Sequence, residues 1–257
     1  MELRYGHTSF PYEIIIVHCT FVWECSGILK ETGKERIMAM TKMILVRHCQ
    51  AEGNLKRFFQ GRIDTDITEL GAQQIERTAA FLADEPIDII YVSSKKRAQK
   101  TAEGINRFHN VPMKVDDRIV EINAGDWEGV VLTEIQQHYP EAFDNWKNHP
   151  AVFQAPNGEN MAEVYARVSE ALMDIARENA GKTICVVSHG CAIRNMMCFL
   201  HGWPVDKIGD VPLGTNTTVN MISFDEQLRP AILLENYTDH LAGLPSTREP
   251  FNLNTTD

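Results

Sequence analysis

Two arginines and two histidines follow short apolar runs of the sequence, and these residue types can bind and react with an anionic group. Arg47 and His48 come directly after one run, Arg97 lies a few residues beyond a second, and His189 closely follows a third. An arginine can hold a phosphate or carboxylate through two parallel hydrogen bonds. A neutral imidazole is a nucleophile and a proton carrier near pH 7. If the fold brings these four side chains together, they form an anion-binding site with reactive groups.

The elements that must position them alternate between strand and helix patterns. The apolar runs 43–46, 87–92 and 183–187 are typical of buried parallel strands, and 219–222 and 231–234 predict closing strands. Helices are predicted from Thr68, over a face containing Ala98, Thr101, Ile105 and Phe108, from Asn160 with Glu163 as a capping box, and from Gly190. This alternation predicts a three-layer α/β fold, with a mostly parallel sheet covered by helices on both faces. Ligands bind such folds at the carboxyl ends of the strands, where the four residues lie.

Composition narrows the class of protein. The chain has 257 residues, of which 35 are acidic and 25 basic, so its formal net charge is −10. A protein that binds nucleic acid generally carries a basic face, so a nucleic-acid partner is not expected. No apolar run is long enough to span a membrane, and the six cysteines form no Cys-x-x-Cys pair. These features predict a reduced, cytoplasmic protein without a membrane partner.

The first part of the chain differs in pattern from the rest. An apolar patch over 14–23 is interrupted by polar residues and followed by the polar stretch 29–36, unlike the unbroken apolar stretch of a secretory signal. Met38, Met40 and Met43 precede the first strand, which favours the hypothesis that the natural start is one of them. We therefore predict an extension over 1–42, one domain over 43–243 and a tail over 244–257.

Five segments, in order, resemble the motifs of the histidine phosphatase superfamily, in its phosphoglycerate-mutase-like branch. They are Leu45-Val46-Arg47-His48 with Asn54, Phe59-Gln60-Gly61-Arg62 with the helix start at 66–71, Ser93-Ser94 to Thr101-Ala102 around Arg97, Glu121 to Gly129, and Ser188-His189-Gly190 with Ile193-Arg194. The resemblance covers residues 43–243. One departure is Cys49, which stands where the family usually has a glycine after the histidine.

The resemblance implies a role for each matching residue. His48 is expected to be the nucleophile that becomes phosphohistidine, His189 a donor to the transferring phosphoryl group, and Glu121 the general acid and base. Arg47 and Arg97 are expected to neutralise the phosphoryl oxygens, as phosphoryl transfer requires. The predicted substrate-binding set is Arg47, Asn54, Gln60, Gly61, Arg97, His189 and Gly190, and the start of the helix at Gly190 is expected to face the anion. Neither a metal nor a cofactor is expected.

The acidic segment indicates the class of reaction. Gly125-x-Trp127-Glu128-Gly129 resembles the phosphatase members, such as α-ribazole phosphatases and broad-specificity phosphatases. The predicted function is hydrolysis of small phosphate monoesters. The alternatives are a cofactor-dependent phosphoglycerate mutase and a non-catalytic phosphate-binding module. The stretches 60–62 and 132–160 are expected to select the substrate, and Trp146 and Phe153 suit either its entrance or the core. The sequence names no single substrate and no oligomeric state.

Overall fold

The computed structural model describes residues 40–246. Its strands are β1 (Thr41–Arg47), β2 (Ile89–Val92), β3 (Met113–Val115), β4 (Thr183–Ser188), β5 (Val219–Phe224) and β6 (Pro230–Tyr237). They form one sheet in the order β3-β2-β4-β1-β5-β6. The four strands from β3 to β1 are parallel, and β5 and β6 add an antiparallel edge. The predicted extension over 1–42 and tail over 244–257 lie almost entirely outside the described residues.

Seven α-helices connect the strands within residues 40–246. They are α1 (Glu52–Lys56), α2 (Glu69–Leu82), α3 (Lys96–Asn106), α4 (Leu132–His138), α5 (Pro140–Asn148), α6 (Met161–Glu178) and α7 (Gly190–Leu200). No helix in this part of the chain has both the length and the apolar character needed to cross a bilayer.

Helix starts with local capping signals are confirmed. The Thr68 hydroxyl oxygen accepts a hydrogen bond from the Gly71 N–H at 3.0 Å and so begins α2. Asn160 accepts from the Glu163 N–H at 2.9 Å, and the Glu163 carboxylate accepts from the Asn160 N–H at 2.8 Å. Each cap satisfies N–H groups that have no partner within the helix, a contribution of about 1 kcal/mol.

The position of Phe108 is a correction. The apolar spacing predicts Phe108 on one helix face with Ala98, Thr101 and Ile105, but α3 ends at Asn106 and the Phe108 side chain is 55% exposed. The apolar spacing continues past the last residue of the helix, so it does not mark where the helix ends. For β3, α4 and α5 the sequence gives no prediction, because their apolar patterns are short.

The core lies on both faces of the sheet. Along β1, Met43 and Leu45 face one cluster of buried side chains, while Ile44 and Val46 face the other. Helices α6 and α7 cover the first face, and α2 and α3 cover the second. Each fully buried aliphatic side chain contributes about 1.5–3 kcal/mol relative to an exposed one, so the apolar runs hold the layers together. Both faces of the sheet are therefore covered, as the apolar runs predict.

Candidate active site

His48 stands at the carboxyl end of β1, where its backbone N–H donates to the Ser188 carbonyl of the neighbouring β4 at 2.9 Å. Its ring Nδ1 lies 2.6 Å from the Cys49 carbonyl oxygen. A carbonyl oxygen only accepts hydrogen bonds, so Nδ1 carries the proton and Nε2 keeps its lone pair. Burial first, and then the charges of Arg97 and Arg47, hold the His48 pKa well below its ordinary value. The ring is therefore a neutral imidazole at physiological pH.

His48 lines a small cavity of about 70 Å³, here called the anion cavity. Every residue predicted for the site except His189 lines it. The topology explains this, because β1, β4 and β2 are adjacent and parallel and their carboxyl ends meet at one edge of the sheet.

Arg97 brings a buried positive charge to this cavity. Its side chain donates from Nη1 to the Ile63 carbonyl and from Nη2 to the Gly61 carbonyl, both at 2.8 Å. Burial lowers the Arg97 pKa to about 10, so the group stays protonated at neutral pH. The charges of Glu121, Asp64 and Glu128 act on it, but none of the ion pairs formed within residues 40–246 includes Arg97. An anionic ligand in the cavity would offset part of the cost of burying this charge.

Arg47 also lines the anion cavity and donates to the Gly214 carbonyl. Gly190 lies close by, and a Cβ added there would come within 3.2 Å of the Arg47 guanidinium carbon. Glycine at 190 therefore leaves room for the arginine beside the cavity.

His189 is fully buried, with its ring centroid 5.1 Å from that of His48. Its Nε2 lies 2.7 Å from the Ser93 hydroxyl oxygen, which itself accepts the Lys95 N–H at 3.3 Å. When the Ser93 hydroxyl donates to Nε2, the His189 proton lies on Nδ1. Nδ1 has no hydrogen-bond partner among residues 40–246. The ring does not line the anion cavity directly, and in this tautomer Nδ1 is its donor.

The carboxylate of Glu121 is held by the start of α7. Oε1 accepts from the N–H groups of Ile122 at 2.9 Å and Ala192 at 3.3 Å, and Oε2 accepts from the Cys191 N–H at 3.3 Å. Two N–H groups of this helix start therefore bind Glu121, while Gly190, the first residue of the helix, lines the anion cavity. The expected contact of this helix start with a phosphate stays a prediction. A side-chain carboxylate and a phosphate satisfy a helix start in the same way, and sequence alone does not separate them.

Three further predicted residues form the rim of the anion cavity. The Asn54 amide oxygen accepts the Ala51 N–H at 3.0 Å, which leaves its NH₂ group as the donor for a ligand. The Gln60 amide oxygen accepts from the Thr65 hydroxyl at 2.7 Å. Gly61 adopts a φ of +48°, a conformation that favours glycine, and its carbonyl faces Arg97.

Cys49, the departure from the family pattern, does not intrude on the anion cavity. A Cβ added at Gly71 would lie 3.3 Å from the Cys49 sulfur, so the thiol points towards the start of α2. Burial raises the Cys49 pKa to about 11, and the thiol stays protonated at neutral pH.

A second, larger space of about 460 Å³, here called the outer cavity, shares Trp146, Cys191 and Leu213 with the anion cavity. Its lining includes Lys147, Arg194 and the segment 209–213, which begins at the end of a 3₁₀ helix (Val205–Asp210). Trp146 lines both cavities, whereas Phe153 is a core residue with 1% exposure.

Sequence reasoning missed the segment 209–213, because it has no motif and no periodic pattern. The Arg194 guanidinium holds this segment through the Val211 carbonyl at 2.7 Å and the Gly209 carbonyl at 3.3 Å.

Taken together, the cavities offer a neutral imidazole beside two guanidinium groups and a carboxylate, next to room for an organic group. Such a set can bind a tetrahedral anion, attack it and exchange a proton with a leaving oxygen. Within residues 40–246, no three His, Cys, Asp or Glu side chains are grouped to hold a metal ion.

Known proteins resemble this chain in sequence and in fold. The family model for the histidine phosphatase superfamily (branch 1) matches residues 43–237. Phosphoserine phosphatase 1 of Hydrogenobacter thermophilus is 36% identical over 202 residues, which cover 79% of this chain and 95% of that protein. Bacillus stearothermophilus YhfR superimposes with a TM-score of 0.75 at 31% identity, over 78% of this chain and 99% of its own. A phosphoserine phosphatase mutant of Entamoeba histolytica in complex with phosphoserine has a TM-score of 0.68 at 29% identity, over 79% and 100%.

Proposed function

The chain belongs to the histidine phosphatase superfamily (branch 1) and hydrolyses phosphate monoesters; we propose that it does so through a phosphohistidine on His48, with Glu121 as general acid and base. The observation that carries this proposal is the hydrogen bond from His48 Nδ1 to the Cys49 carbonyl. That bond leaves the Nε2 lone pair for attack on phosphorus. The substrate is a phosphorylated small molecule.

In the first step, Nε2 of His48 attacks phosphorus as the bond from phosphorus to the ester oxygen breaks. Arg47 and Arg97 neutralise the charge on the three equatorial oxygens, a role for which guanidinium groups suit phosphoryl transfer. Glu121 enters this step as a carboxylic acid, protonated when the phosphate group is bound, and the leaving alkoxide takes its proton and departs as an alcohol. The products of this step are phosphohistidine, the alcohol and the Glu121 carboxylate.

In the second step, a water molecule attacks the phosphohistidine. Glu121 takes a proton from the water, the phosphorus–nitrogen bond breaks, and inorganic phosphate leaves. The electron pair of that bond returns to Nε2, so His48 and Glu121 regain their starting states. His189, with a proton on Nδ1, is the proposed donor to the transferring group in both steps.

The outer cavity is the proposed site for the organic part of the substrate, because it adjoins the anion cavity through Trp146, Cys191 and Leu213. A relative and a solved neighbour are both named phosphoserine phosphatases. We therefore include O-phosphoserine, together with other small phosphate monoesters, in the substrates to be tested.

One experiment separates the three candidate functions. A phosphatase releases phosphate from p-nitrophenyl phosphate, and His48→Ala abolishes this release. The wild-type enzyme should be mixed with substrate labelled in its phosphate group and the reaction stopped with base during turnover. This should trap a labelled phosphoprotein that is labile to acid and stable to base, and His48→Ala should yield none. Exchange of phosphate between the 2- and 3-positions of glycerate at a higher rate than hydrolysis would support a mutase instead. Anion binding without either reaction would support a binding module.

A cytoplasmic location stays a prediction from the cysteine pattern. The described cysteines Cys49, Cys185, Cys191 and Cys198 are buried and free, which suits a reducing compartment. Fractionation of cells of the source organism, followed by an activity assay of each fraction, tests this prediction.

A further inference from the structure

Arg167, on α6, uses every donor of its guanidinium group. Nε and Nη2 donate to the two carboxylate oxygens of Glu159 at 2.8 and 2.9 Å. Nη1 donates to the carbonyl oxygens of Arg118 at 2.9 Å and Val120 at 2.8 Å, and Nη2 also donates to the Glu121 carbonyl at 3.2 Å. Five N–H groups thus meet five acceptors, and three of these lie on the backbone that carries Glu121.

Glu159 fixes the same backbone from the other side. Its Oε2 accepts the Asn123 N–H at 2.7 Å, and its own N–H donates to the Asn123 carbonyl at 2.8 Å. Burial opposes the charge of Glu159, but hydrogen bonds from Arg167 and Asn123 outweigh it and lower the Glu159 pKa. The two side chains form an ion pair in which each is only 17% exposed. Arg167 and Glu159 therefore both bind the backbone of residues 118–123, and Glu159 also pairs with Arg62, whose Nη2 lies 3.2 Å from its Oε1.

This support matters because residues 120–124 belong to neither a helix nor a strand. A general acid must stay within hydrogen-bond reach of the leaving oxygen, and misplacement by about 1 Å can cost a hundredfold in rate. We propose that Arg167 is a positioning residue for Glu121, and that its pair with Glu159 orients the guanidinium for that purpose. The proposal rests on the proposed acid role of Glu121. Lysine, with one nitrogen and three donors, cannot replace the five-donor fork.

The effect should depend on the leaving group of the substrate. p-Nitrophenolate leaves readily without a proton, whereas the alkoxide of glycerol 2-phosphate requires one. Glu121→Gln should lower kcat/KM for glycerol 2-phosphate by about 10²–10⁴-fold and for p-nitrophenyl phosphate by less than about tenfold. Arg167→Met and Arg167→Lys should show the same preference, with a loss at least about tenfold greater for the alkyl ester.

The matched control is Arg118→Met. Arg118 pairs with Asp116 and Asp174 on the surface, and its carbonyl still accepts from Arg167 after the substitution. This variant should lower both activities equally or not at all. Equal losses on both substrates in Arg167→Lys, or no loss, would overturn the proposal.

Two further measurements keep the test decisive. If Arg167→Met fails to fold, Glu159→Gln removes the charge that orients Arg167, and it should show the same preference for the aryl ester. If Glu121→Gln itself loses both activities equally, the acid role of Glu121 fails. If Glu121→Gln loses more activity on the alkyl ester than on the aryl ester, but Arg167→Lys loses both equally, only the positioning role of Arg167 is overturned.

Discussion

The two histidines of the site should make the stability of the protein fall steeply in mild acid. His48 and His189 are buried, with pKa values held well below the ordinary value of 6.5 by burial and then by Arg97. In the unfolded chain both titrate near pH 6.5. Below that pH the unfolded state binds more protons than the folded state, so the free energy of unfolding decreases as the pH falls.

The size of this effect follows from the linkage relation. Lowering the pH from 7.5 to 5.5 should cost at most about 1.4 kcal/mol for each histidine, and at most about 2.7 kcal/mol for the pair. That is a large part of the 5–15 kcal/mol typical of a folded domain. The loss begins as the pH drops through 6.5 and ends once it falls below the folded-state pKa values.

The assay is urea unfolding at pH 7.5 and 5.5 for the wild type, His48→Asn and His189→Gln. In each histidine variant, the difference between the two pH values should shrink by up to about 1.4 kcal/mol. Leu172→Ala is the control, because it removes buried apolar volume and costs about 2–5 kcal/mol at both pH values. If the free energy of unfolding of His48→Asn changes between pH 7.5 and 5.5 by as much as that of the wild type, the linkage to His48 is refuted. Other histidines with lowered pKa, His109 and His240, contribute equally to all variants and cancel.

Three further substitutions test the site. Arg97→Lys should lower kcat/KM for p-nitrophenyl phosphate about 10²–10³-fold, because an ammonium lacks the planar fork that holds the Ile63 and Gly61 carbonyls and can bind phosphate through two parallel hydrogen bonds; wild-type kinetics would contradict this. Ser93→Ala removes the hydroxyl that is hydrogen-bonded to Nε2 of His189, so kcat should fall roughly tenfold, the size of one hydrogen bond, with KM little changed; a change confined to KM would argue against it. Gly61→Ala adds a Cβ 2.4 Å from the Glu128 carboxylate oxygen at a positive φ, so KM should rise and thermal unfolding should occur at lower temperature; both are measured on the purified variant.

The parts of the fold that could be predicted are those with local signals. β1 and β4 are continuous apolar runs because both faces of the sheet are covered, and α2 and α6 begin at side chains that cap them. The reactive residues could be found because they follow those runs directly. Topology then brings their side chains together at one edge of the sheet.

The parts that could not be predicted depend on contacts between distant segments. β3 has three residues and is defined by its pairing with β2. Arg194 binds the segment 209–213 through two backbone carbonyl groups, which every residue has whatever its side chain. Arg167 could not be predicted for the same reason, because it contacts the segment around Glu121 through three backbone carbonyl groups. An arginine that binds backbone groups does not require particular side chains in its partners, so the sequence of those partners shows no pattern.

The start of α7 shows how such a contact changes the chemistry of the site. A helix start has four N–H groups without partners inside the helix, and here those of Cys191 and Ala192 donate to Glu121. The full positive charges available to neutralise the phosphoryl oxygens are those of Arg47 and Arg97, which line the same cavity as Gly190. The helix also fixes the carboxylate that is proposed to exchange protons with the leaving group. On this reasoning, loss of an arginine should weaken phosphate binding, whereas loss of Glu121 should alter proton transfer and leave the binding of inorganic phosphate nearly unchanged.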